Sequence, residues 1–176
     1  MKNKSKIFKF TIFSIIFVFI LGTLLHFTFE WSNQSALIGS FSAVNESTWE
    51  HLKLLFFPML ITTIIGYFYL SKTTPSFLCA RVYAITSSIL FTVVFFYTYT
   101  GIVGTNIAIL NIATFYIATL IGEYISYRIM LYKFNCNTKK AIIILGILLF
   151  LFVFFTYYPP KIRLFKDPAS NTYGVI

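Results

Sequence analysis

The chain has 176 residues, of which 58% are hydrophobic, 20% aromatic and only 11% charged, with a formal net charge of +9. Soluble domains carry about a quarter charged residues, so this composition excludes an ordinary soluble enzyme or binding domain. The cations sit at the ends of long apolar runs, where they report membrane orientation, and nothing else in the chain supports a nucleic-acid partner.

Five apolar runs are each long enough to cross the hydrocarbon core as a helix. They predict a single all-α integral membrane domain over 1–176, a bundle of about five transmembrane helices in the cell membrane, in contact with the lipid bilayer. None alternates in the manner of a barrel strand. The first span covers about 10–29. It reads as a retained helix, because it is too long for a signal-peptide core and no A-x-A-like site follows. The loop WSNQSALIGSFSAVN (31–45) is polar and small, suited to a re-entrant turn or to lying on the outer face. The second span, 52–70, contains Pro58, which has no N–H to donate and so frees a carbonyl near Leu54. A plain turn with Pro75 leads to the third span, 82–100. GIVGTN (101–106) is a tight turn with two glycines available for positive φ. In the fourth span, 103–127, Asn111, Ala118, Gly122 and Ser126 share a face, and small residues there let helices approach closely. The fifth span, 141–158, is apolar all round, faces lipid, and ends at Pro159-Pro160.

With the N-terminus inside, ten of the fourteen cations become cytoplasmic: Lys2, Lys4, Lys6, Lys9, Lys72, Arg81, Arg128, Lys133, Lys139 and Lys140. Lys53, Lys161, Arg163 and Lys166 remain outside with the C-terminus. Cys79 and Cys136 then fall in cytoplasmic loops and are expected to be reduced and unpaired.

The stretch VNESTWEHLK (44–53) is the chemical anomaly of the chain. Of seven acidic or histidine side chains, five lie between residues 26 and 51. His26 and Glu30 end the first helix four residues apart, on one face. Glu46, Glu50 and His51 open the second, with Lys53 just after. Ionisable groups at membrane depth cost roughly 2.5–3.5 kcal/mol each, which makes them functional candidates. Each also has a structural alternative. Ser47 and Glu50 form a capping box, Glu50 and Lys53 an ion pair, Glu30 an exposed loop acid beside Trp31, and His26 a hydrogen-bonded core residue. Histidine and glutamate suit zinc, manganese or iron. The candidate ligands for a divalent metal or another ligand are therefore His26, Glu30, Glu46, Glu50 and His51. Asn45, Trp49, Lys53 and Asn111 are in support. Because His51 lies about 100° round the helix from Glu50, all five cannot converge without loop distortion. No catalytic metal motif such as HExxH is present. Glu123, near the cytoplasmic end of its helix and roughly 30 Å from the cluster by helix rise, is expected to pair with Arg128 or Tyr127, or else to form the inner station of an ion path.

HFTFEW (26–31), VNESTWEHLKL (44–54) and PPKIRLFKDPASNTYG (159–174) together resemble a family of small bacterial multi-span membrane proteins of unknown function, over nearly the whole chain. The resemblance implies an integral membrane protein and brings no established activity. It places emphasis on His26, Asn45, Glu46, Trp49, Glu50, His51 and Lys53. The tail is then either a frayed terminus or a lid in which Leu164 and Phe165 pack down and Asp167 or the tail's cations approach the glutamates. Three functions compete. One is a ligand- or metal-binding protein or carrier, for which a homo-oligomer would supply further helices. Another is an intramembrane enzyme on a lipid-like substrate, with Lys53 or Arg163 holding a head-group phosphate. The third is a non-catalytic membrane partner.

Overall fold

The computed structural model describes residues 2–132 and 135–175, without the Lys2 side chain; Lys133, counted among the cytoplasmic cations, lies outside the described residues. The chain is helical throughout its spans: α1 (Lys2–Trp31), α2 (Ala36–Gly39), α3 (Thr48–Leu70), α4 (Phe77–Val103), α5 (Ala108–Leu131) and α6 (Thr138–Tyr157), followed by a 3₁₀ turn at Arg163–Phe165. All but α2 are long and apolar enough to cross a membrane.

The helices depart from most of the expected bounds, and two of the differences have a plain local cause. The α1 helix starts at Lys2, because the lysine-rich leader is made of good helix formers and continues the apolar run. The fourth span begins at Ala108 rather than 103, because α4 runs on to Val103 and is stopped by Gly104 at φ +78°. That left-handed cap is the turn conformation the paired glycines anticipated.

Each of α1, α3, α4 and α5 packs against two of the others, so the four close into a ring. α6 lies outside it, against α4 and α3, with most of its surface exposed. The small-residue stripe of α5 sets the closest contact. A Cβ on Gly122 would stand 2.1 Å from Ser88 Oγ and 2.6 Å from the Ala84 carbonyl, while Ser88 donates to the Ala118 carbonyl at 2.8 Å.

The centre of the ring holds an ion pair that the sequence reading assigned differently. Arg81 is not a loop cation. It sits inside α4 with no exposed surface, and its guanidinium donates to Glu123 Oε2 at 2.7 Å, to Thr63 Oγ1 at 3.1 Å and to Thr62 Oγ1 at 3.0 Å. Ser14 donates to the other Glu123 oxygen at 2.7 Å. Glu123 is therefore partnered by Arg81 and Ser14, not by Arg128 or Tyr127. Arg128 instead donates to Tyr124 and Tyr132 on the exposed face of its own helix. Twelve residues of α1 separate Ser14 from His26, about 18 Å of helix rise, so Glu123 is closer to the polar cluster than its distance along α5 suggested.

Cys79 and Cys136 are joined in a disulfide. The expectation of free thiols rested on the side of the membrane assigned from lysine counts. It took no account of α6 docking on α4, which brings the two cysteines together across 57 residues of sequence. Disulfides belong to oxidising compartments. The pairing and the lysine bias therefore pull the orientation in opposite directions.

Candidate functional site

The conspicuous stretch splits into two faces of one helix. Ser47 caps α3 and accepts from the Glu50 amide at 3.4 Å. The reciprocal half of the capping box is rewired: Glu50 accepts from the Val44 amide at 3.1 Å, and Asn45 Oδ1 takes the Ser47 amide at 2.9 Å. From this cap, Thr48, His51 and Leu55 follow at helical spacing along one face, towards α1 and α5. Trp49, Lys53 and Phe56 follow along another, towards α6 and the tail.

On the second face Lys53 and Glu50 satisfy each other, while the buried Trp49 indole N–H has no hydrogen-bond partner among the described residues. Lys53 has no exposed surface, and its three ammonium protons go to Glu50 Oε2 at 2.5 Å, Gly39 O at 2.7 Å and Thr156 Oγ1 at 2.9 Å. Trp49 stacks between Phe152 and Phe165, with centroids at 4.6 and 4.7 Å. Asn45 donates to the Gly174 carbonyl at 3.0 Å, and the Val175 amide donates to the Thr156 carbonyl at 3.3 Å. The tail is thus a folded cap seated by Phe165, not a frayed terminus. Asp167 is buried and accepts from Ala169 N and Ser170 Oγ within the tail's own turn. With Lys53 enclosed in this way, it cannot serve a head-group phosphate, and Glu50 is its structural counter-ion.

On the first face three candidates converge. His26 Nε2 lies 3.9 Å from Glu46 Oε1, and His51 Nε2 lies 3.5 Å from Glu46 Oε2. The two imidazole centroids are 5.3 Å apart. One ligand atom from each residue falls within 4.8 Å of the others. Glu46 reaches His51 rather than sharing a face with Glu50 because it precedes the cap and is free of the helical register. His51 Nδ1 lies 3.0 Å from the Ser47 carbonyl. A carbonyl only accepts, so Nδ1 carries the proton and the lone pair is on Nε2, facing Glu46 and His26. His26 Nδ1 is buried with no hydrogen-bond partner among the described residues. Both histidines are partly exposed and Glu46 more so.

This cluster stands at the edge of a cavity of about 410 Å³ enclosed by α1, α3, α4 and α5. Gly22 and Leu54 belong to its lining. The Leu54 carbonyl that Pro58 leaves without a helical donor faces α1, where a Cβ on Gly22 would stand 2.6 Å from it.

A family model described as "Family of unknown function (DUF6512)" matches residues 1–175. The chain belongs to this family. No curated protein and no solved structure matches the chain. Membership agrees with the resemblance read from the sequence and adds no activity.

The family member described here thus brings together His26, Glu46 and His51 from the predicted set. Glu50 and Lys53 are joined apart from them. Glu30 is exposed at the end of α1. Asn45 and Trp49 support the tail, and Asn111 lines the cavity beside Asn106. The sequence reading did not single out Thr48, Gly22 or Phe115 of the cavity wall. The spacing of Thr48, His51 and Leu55 was the signal available for the first.

Proposed function

We propose that His26, Glu46 and His51 hold a divalent transition metal, zinc by the chemistry of the donors, at the outer face of a multi-span membrane protein. The observation that carries this reading is the preset tautomer of His51. Its Nδ1–H is engaged by the Ser47 carbonyl, and Nε2 is thereby aimed at Glu46 and His26. Backbone carbonyls perform this orienting role for metal-binding histidines generally. Two imidazoles and one carboxylate are a zinc donor set that leaves a fourth position open. Ligand atoms about 2.0–2.1 Å from a tetrahedral metal stand about 3.3 Å apart, so a set whose ligand atoms lie within 4.8 Å of one another closes on a metal by side-chain movement. An open position beside a cavity favours binding or catalysis over a closed structural site.

Elemental mass spectrometry of the protein purified without chelators tests the assignment. Wild type is expected to retain about one zinc per chain, and His26→Ala and His51→Ala to lose it, because each removes one of three protein ligands. Glu30→Gln should retain it in full. Zinc bound equally by wild type and both histidine variants would overturn the assignment, as would a wild type that takes up none.

A further inference from the structure

The cavity has two chemistries. Its rim carries His26, Glu46 and His51 on one side and Asn106 and Asn111 on the other. The asparagines are held as a unit: Asn111 Nδ2 donates to Asn106 Oδ1 at 2.7 Å, and Tyr99 donates its hydroxyl to both side-chain oxygens. Asn106 Nδ2 has no acceptor among the described residues, which leaves a donor at the rim. Deeper in, the wall turns apolar, with Leu54, Leu55, Phe96 and Phe115. The floor closes where a Gly22 Cβ would stand 2.5 Å from the Phe115 ring. The side of the cavity is also informative. Phe27 of α1 and Ile112 of α5 belong to its wall and are 43% and 59% exposed, so the cavity is accessible beside two apolar helices.

We propose that the cavity binds a single-chain amphiphile with an anionic oxygen head-group, a carboxylate or a phosphate. The head completes the metal's coordination and the chain runs down to the Gly22–Phe115 floor. This proposal rests on the metal assignment above and adds to it the class of ligand. A divalent metal bound by two neutral imidazoles and one carboxylate keeps a net positive charge, which selects an anion for the open position. Asn106 Nδ2 is placed to donate to a second head-group oxygen. The volume lies within the range of small-molecule sites, about 300–1,000 Å³. Apolar surface of the chain leaves water as it enters the cavity, so the chain supplies affinity that a bare anion lacks.

The test uses the full chain in lipid nanodiscs, loaded with Co²⁺ and titrated with laurate, dodecyl phosphate, acetate or dodecanol at measured free concentrations. The visible bands of the cobalt report a change in its ligands. Laurate or dodecyl phosphate should shift the bands at concentrations about 100-fold below acetate, and dodecanol should leave them unmoved. Which of the two acts names the head-group. Ile112→Trp, which places an indole at this exposed part of the cavity wall, should keep its cobalt and weaken the amphiphile about 10-fold. Equal potency of acetate and laurate would show that the chain contributes nothing. Binding of labelled laurate without a band shift would show that the metal is not the partner of the head. An Ile112→Trp protein as sensitive as wild type would remove the cavity from the account. Each of these outcomes overturns the proposal while the metal site stands. Failure to load cobalt at all would instead mark failure of the metal assignment.

Discussion

Replacing Arg81 with methionine is expected to lower the stability of the detergent-solubilised protein by about 3–5 kcal/mol, the usual consequence of removing one partner of a buried ion pair. The size of the effect follows from what remains. Glu123 has no exposed surface, and its Oε2 would lose the 2.7 Å bond from the guanidinium, leaving Ser14 as its donor. Thr62 and Thr63 would each lose a donor as well, although both keep their bonds to the Met59 carbonyl. The double variant Arg81→Met/Glu123→Leu separates charge from packing. It should regain much of the loss, because replacing a whole buried pair by apolar residues is often neutral. Unfolding titrations with a harsh detergent measure both. An Arg81→Met protein as stable as wild type would mean that water reaches Glu123 in the middle of the ring.

Lys53→Met should cost a similar amount, about 3–5 kcal/mol, with a different structural consequence. Lys53 joins three separate pieces of chain: Glu50 of α3, the Gly39 carbonyl at the end of α2, and Thr156 of α6. The tail hangs on the same joint, since Val175 bonds to the Thr156 carbonyl and a Cβ on Gly174 would stand 2.9 Å from that oxygen. Limited proteolysis should therefore cut the Lys53→Met protein within 159–175 at temperatures where the wild-type tail resists. Arg81→Met, whose lesion lies elsewhere in the ring, should keep the tail protected until it unfolds globally. Equal tail resistance in Lys53→Met and wild type would show that the aromatic stack of Trp49 and Phe165 suffices to hold the cap.

The five spans were legible in the sequence because an apolar run of bilayer length has few alternatives. The small-residue stripe of α5 was legible too, since Ala118, Gly122 and Ser126 recur at helical spacing and only a neighbouring helix needs them small. The partition of the VNESTWEHLK stretch was half legible. Its helical periodicity separates His51 from Glu50, but it does not say that Glu46 stands before the cap and so reaches His51. The partner of Glu123 was out of reach. Arg81 sits beside a loop and looks like one more orientation signal, and only the packing of α4 against α5 and α1 turns it inward. The Cys79–Cys136 pairing was hidden for the same reason, since it depends on where α6 docks. The tail's cap was anticipated in its aromatic anchor, Phe165, but not in its polar contacts. Asp167 turns back on its own loop, and Asn45 reaches Gly174.

The central claim is that His26, Glu46 and His51 form one metal-binding unit. X-ray absorption at the zinc edge of the zinc-loaded protein tests it most directly. The account predicts a first shell of nitrogen and oxygen at about 2.0–2.1 Å, with the outer-shell scattering of two imidazoles, reduced or lost in His51→Ala. A sulfur shell at about 2.3 Å, or an oxygen shell without imidazole scattering, would place the metal elsewhere and contradict the account.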